Sequence, residues 1–124
     1  MAYFTNVTFY KFFTMNNNSD YIQVYTTLPS KTIALSLARL LTENRLIACA
    51  QIGQEILSVY TWQGTTEETY EVPLVCKTIK SRYEQLEKKI LAEHPYETPE
   101  ILVCEYIGGS SGYLKWVSNQ TSNR

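Results

Sequence analysis

Apolar residues recur along the chain with two different periods. "YIQVYTT", residues 21–27, is dense in β-branched and tyrosine residues and reads as a strand. After Pro29 and Ser30 the period lengthens: Ile33, Leu37, Leu40 and Leu41, with Ala34 and Ala38, fall on one helical face. This predicts an amphipathic helix over 31–46, with Ser30 as its N-cap. In "IACAQIGQEILSVYTW", 47–62, Ile56, Ser58, Tyr60 and Trp62 alternate with Leu57, Val59 and Thr61, and Gly53 marks a bulge in a long strand. Gln63-Gly64 is a turn signal, and "EETYEVPLVCKTI", 67–79, returns as a second strand of a long hairpin. Pro73 lacks an N–H, so it is expected at an edge or a bulge.

Ser81-Arg82-Tyr83-Glu84 matches a capping box, in which the serine hydroxyl and the glutamate each accept from a free helix N–H. It opens a helix with Tyr83, Leu86, Ile90 and Leu91 on its apolar face, ended at or just before His94 by Pro95. "EILVCEYI", 100–107, is the fourth strand, and Tyr113, Trp116 and Val117 mark a short C-terminal helix. The order predicts an α+β, ferredoxin-like βαββαβ sandwich with a long central hairpin. Both long helices then cover one face of the sheet, and the other face needs a cover. The distal hairpin carries Tyr60, Trp62 and Tyr70, which a single chain would expose, so these are expected at an interface between copies.

Composition narrows the picture. A chain of 124 residues is one domain, and its 11 basic and 12 acidic residues argue against a nucleic-acid partner. No run is long and apolar enough for a membrane helix, so no membrane partner is expected. Cys49, Cys76 and Cys104 are odd in number, form no CxxC pair and each sit in an apolar run. They are expected to be buried reduced thiols, which suits a cytoplasmic location. All four phenylalanines lie within the first 13 residues. Residues 1–19 therefore read as a flexible extension outside the fold, and 20–124 as the domain.

The candidate chemistry centres on "HPYETPEI", which holds the only histidine, His94. Two readings are open. As the last residue of a helix, a protonated imidazole would interact favourably with the helix dipole. As a ligand, His94 could hold a metal with oxygens from Glu93, Glu97 and Glu100. No nucleophile can be nominated beside it, so no catalytic residue is assigned. Pro95 and Pro99 stiffen the stretch, and Tyr96, Trp62 and Trp116 are the aromatic candidates for a binding cleft. An acylphosphatase-like hydrolase would need an arginine in the "TTLPSK" loop, which has none, and "EVPLVCK" is not an RNA-binding strand pattern.

Several stretches in order carry a resemblance: "TTLPSK", "NRLIACAQI", "SVYTWQGTTEETYEV", "CKT", "HPYETPEI" and "YLKWV". Over about 21–121 the chain resembles the CutA family, the divalent-cation tolerance proteins. The resemblance implies a ferredoxin-like protomer in a tight, PII-like homotrimer. It also implies a non-enzymatic role in metal tolerance or response, with copper or another divalent cation as ligand, held in clefts between subunits lined by His94, Tyr96 and Glu97. The family's proposed copper ligands are a cysteine at the end of the first strand and two adjacent histidines. They fall on Thr26, Glu93 and His94, so one of the three is retained, and a soft thiolate and an imidazole favoured by copper are missing. That departure motivates an alternative: a metal-independent small-ligand sensor or partner-binding scaffold of PII-like architecture.

Overall fold

The computed structural model describes residues 14–15 and 20–122. Its elements are β1 (Tyr21–Leu28), α1 (Lys31–Glu43), β2 (Cys49–Ile52), β3 (Ile56–Trp62) and β4 (Thr65–Ile79). A 3₁₀ turn (Lys80–Arg82), α2 (Tyr83–Glu93), β5 (Ile101–Glu105) and α3 (Ser111–Thr121) complete it. The strands pair antiparallel in the order β2-β4-β1-β5, with β3 continuing along β4. This is the ferredoxin-like α+β order. Among the described residues no helix is long and apolar enough to cross a membrane.

The core lies between the sheet and the two long helices. Ile22, Val24 and Leu28 of β1 meet Ala34, Leu37, Ala38 and Leu41 of α1, Leu74 and Cys76 of β4, and Leu86 and Ile90 of α2. The helix faces differ from expectation at their rims: Ile33 and Leu91 are exposed rather than buried. Ser30 caps α1 as expected, its hydroxyl accepting from the Ile33 N–H at 3.2 Å. The helix stops at Glu43, three residues short of the predicted end. Arg45 turns left-handed (φ 58°), and the Leu46 N–H folds back onto the Leu41 carbonyl at 3.1 Å, closing the helix and returning Leu46 to the core.

The expected long strand over 47–62 is two strands, and Gly53 with Pro73 explains the break. The Gly53 N–H donates to the Pro73 carbonyl at 2.9 Å. Within a strand the N–H and C=O of one residue project to the same side, so the donor that Pro73 lacks faces the interrupted stretch. A Cβ on Gly53 would sit 2.7 Å from Pro73 Cγ, so only glycine permits this approach.

The capping box at the start of α2 does not form. Residues 80–82 wind into a 3₁₀ turn and no side chain caps α2. The turn answers other demands: the Lys80 N–H donates to the Asp20 carbonyl at 2.7 Å. Buried Arg82 donates from Nε to the Thr121 carbonyl at 2.7 Å, and Arg45 reaches the Gln120 carbonyl at 3.3 Å. Two guanidiniums thus meet the C-terminal carbonyls of α3, where the helix dipole favours cations.

Helix α3 covers one end of the sheet's second face. Tyr21 and Ser118 share a hydroxyl–hydroxyl bond of 2.8 Å, and Lys77 Nζ lies 5.9 Å from the centre of the Tyr113 ring. Leu114 and Val117 turn inward, whereas Tyr113 and Trp116 are exposed with their rings 5.6 Å apart. Beyond α3 the face is open: on edge strand β5, Leu102 is 57% exposed and Cys104 is exposed. The expectation of three buried thiols therefore holds only for Cys76, whose thiol burial pushes up to about 12; Cys49 is half-buried. Cys104 fails because it lies opposite Gln23, on the face away from the two long helices and on a strand with a neighbour on one side alone.

Of the supposed extension, Thr14–Met15 pairs antiparallel with Gly108–Gly109, so this piece touches the domain. The flexibility expected for the rest of residues 1–19 lies outside the described residues.

Candidate functional site

The connector from α2 to β5 is where the signature stretch lands, and it splits into a closed side and an open side. His94 is the C-cap of α2 with extended backbone (φ −73°, ψ 135°), as a residue before proline should be. That turns its ring inward, where it is 8% exposed. The Tyr96 N–H donates to Nδ1 at 3.1 Å, which leaves the proton on Nε2. Nε2–H then donates to the Thr27 carbonyl at 2.8 Å, with the Thr26 hydroxyl a secondary acceptor at 3.2 Å. Burial holds the imidazole below its ordinary value, against an opposing pull from the Thr27 bond and the charge of Glu71. The structure therefore corrects the protonated helix-end reading: the Tyr96 N–H requires an unprotonated Nδ1, and burial disfavours the charged ring.

The proposed ligand grouping does not assemble either. Glu93 faces outward from α2 and lies 3.9 Å from Lys89. Among the described residues no three His, Cys, Asp or Glu side chains gather closely enough to hold a metal ion. Thr26 and His94, two of the positions named by the family resemblance, do touch, but both His94 nitrogens are taken by protein groups.

On the open side a cleft of about 790 Å³ runs between the hairpin and the connector. Tyr60 and Trp62 of β3 form one wall and Tyr96 another, and the carboxylates of Glu71, Glu97 and Glu100 line it with Thr27. Tyr60 is held by a 2.7 Å hydroxyl bond to Thr69 across the hairpin. The Thr27 hydroxyl donates to Glu71 Oε1 at 2.9 Å. Burial, then the charge of Glu71 and its hydrogen bond to the phenol, raise Tyr96 above the usual tyrosine value. Tyr25 is raised likewise by burial, then by Glu100 and Glu71.

Tyr96 and Trp62, expected in a binding cleft, and Glu97 and Glu100, expected as metal ligands with His94 and Glu93, line one cleft. Trp116 does not join them. It lines a separate groove of about 450 Å³ with Leu35, Ala38 and Ile52, because α3 packs against the opposite end of the sheet. Tyr70 is 62% exposed and outside the cleft, and His94 lies behind its wall. Glu71 is the residue that sequence reasoning missed. It alternates with buried Val72 and reads as an outward strand residue, and only the pairing of β4 with β1 brings it to Thr27.

Comparison with known proteins bears directly on this arrangement. Residues 22–120 match the family model described as CutA1 divalent ion tolerance protein. The divalent-cation tolerance protein CutA of Thermus thermophilus is 37% identical over 98 residues, covering 79% of this chain and 95% of that protein. The chloroplastic protein CutA of Arabidopsis thaliana is 37% identical over 102 residues, 82% of this chain but only 56% of that longer protein. The CutA structure from Synechococcus elongatus superposes with a TM-score of 0.84 at 30% identity, covering 89% of this chain and 96% of that one. The Thermus thermophilus structure gives 0.80 at 35% identity, covering 82% and 99%.

Proposed function

The chain belongs to the CutA1 divalent ion tolerance family, and from that premise we propose that it is a non-enzymatic, cation-responsive protein that works as a homotrimer. The observation that carries this reading is the cleft between hairpin and connector, whose lining includes three glutamates and three aromatic residues. Copper or another divalent cation is the first ligand to try, with Glu97 and Glu100 as the exposed oxygen donors. Calorimetric titration of copper into the protein and into a Glu97→Gln/Glu100→Gln variant tests it. Saturable binding that the variant loses is expected; equal binding by both moves the metal elsewhere.

The trimer is supported by surface that a single chain leaves open. Tyr70 on the distal hairpin and Leu102 on the edge strand, both outside the cleft, are each more than half exposed. Light scattering should give three times the chain mass of 14.3 kDa; a monomer at micromolar concentration removes the assembly. A cytoplasmic location belongs to the same proposal and suits three free cysteines.

The occupied nitrogens of His94 favour a second reading, a metal-independent ligand sensor using the same cleft. Thermal stabilisation by small molecules and none by metals would select it.

A further inference from the structure

The cleft has a polarity and a shape that together narrow its ligand. Its lining holds the carboxylates of Glu71, Glu97 and Glu100 and no lysine, arginine or histidine. Those carboxylates do not converge on one point, since no three acidic or other metal-binding side chains gather among the described residues. A divalent metal needs its oxygens within one coordination sphere. Separated carboxylates suit a cation whose charge is spread over several atoms or several centres. Tyr60, Trp62 and Tyr96 add three aromatic side chains to the lining, and aromatic faces attract ammonium groups by their quadrupole while solvating attached methylenes. A volume of about 790 Å³ lies in the range of small-molecule sites and far exceeds a single ion.

We propose that this cleft binds a small organic polyammonium ion, with Glu71, Glu97 and Glu100 meeting its charged nitrogens and Tyr60, Trp62 and Tyr96 flanking the carbon chain between them. The proposal rests on the cleft of the cation-responsive reading and names the class of cation. Glu71 is the fixed end of the site, oriented by the Thr27 hydroxyl and the Tyr96 phenol. Glu97 and Glu100, both exposed, are free to adjust to the spacing of the nitrogens.

Spermidine is the probe, titrated into the full chain in its native assembly and followed by calorimetry and tryptophan fluorescence. Saturation at one spermidine per chain is expected, with a fluorescence change that survives Trp116→Phe, since Trp116 lies outside the cleft. Glu97→Gln should weaken binding about tenfold by removing one charged contact. Trp62→Ala leaves the charge unchanged and should also weaken binding about tenfold, which a diffuse acidic surface would not produce. Wild-type affinity in Trp62→Ala, or no binding at low millimolar spermidine, overturns the proposal. Copper titrated into the same samples separates the two readings: copper binding without spermidine binding sinks the organic-cation proposal and leaves the divalent-cation reading standing.

Discussion

His94 and Glu71 stand on either side of Thr27 and meet opposite ends of it. The histidine donates to the Thr27 carbonyl, and the glutamate accepts from the Thr27 hydroxyl. The histidine is buried with both ring nitrogens engaged, so it is neutral and has nothing left to offer a ligand. The glutamate is half-buried, anchored at one oxygen and open to a cleft of about 790 Å³. A buried ionisable group neutralises unless paired. The most conspicuous residue of the signature stretch is thus a structural bolt, and the chemistry lies across Thr27 from it.

The sharpest break of that comparison is His94→Ala. A bolt leaves a cavity, an unpaired Thr27 carbonyl and an unpaired Tyr96 N–H, so a loss of about 2–4 kcal/mol is expected in urea unfolding. A ligand-only histidine would cost less than about 0.5 kcal/mol. Glu71→Ala comes next, at about 1–2 kcal/mol, because it strips the acceptor from the Thr27 and Tyr96 hydroxyls. It should also bring the Tyr96 phenol down toward, though not to, its ordinary value, since burial remains; ultraviolet difference titration against a Tyr96→Phe background reads this. An unchanged tyrosine titration would deny Glu71 its place beside Tyr96.

The contrast also sorts what was legible in the sequence. Period and turn chemistry carried the fold, from the Ser30 cap through the hairpin to the Pro95 stop, because those signals act over a few residues. The capping box at Ser81 misled because Asp20 and Thr121, far away in the chain, compete for that turn. Trp116 went to another groove because only the docking of α3 decides which face it shares. Cys104 shares the apolar context of Cys76, yet Cys76 pairs with core-facing Val24, whereas Cys104 pairs with Gln23 on the open face of an edge strand. Tyr96, Trp62, Glu97 and Glu100 were legible as candidates, in two separate sets, from one connector and one hairpin, whereas Glu71 acquires its role from strand register, which no local pattern encodes.

A smaller effect should appear in acid. His94 titrates below its ordinary 6.5 in the folded protein, so the unfolded chain binds the proton more readily. Above about pH 6.5 both states are neutral and stability is full. As pH falls below that value the unfolded state gains a proton that the folded state refuses, and stability declines until folded His94 also protonates. The slope of unfolding free energy just below pH 6.5 should be shallower in His94→Gln than in the wild type. Equal slopes would mean that the ring is not held neutral.

The smallest expected effect is on the open side. Glu97 is exposed, its contacts are with the cleft rather than the core, and Pro95 and Pro99 hold the backbone around it. Glu97→Gln should therefore move stability by no more than about 0.5 kcal/mol, and the melting temperature should stay with the wild type. The separation matters because ligand affinity in the same variant is expected to fall about tenfold. A group that costs nothing to fold and something to bind is a group kept for a partner. If Glu97→Gln instead unfolds the protein as readily as His94→Ala does, the connector is one structural unit and the division at Thr27 fails.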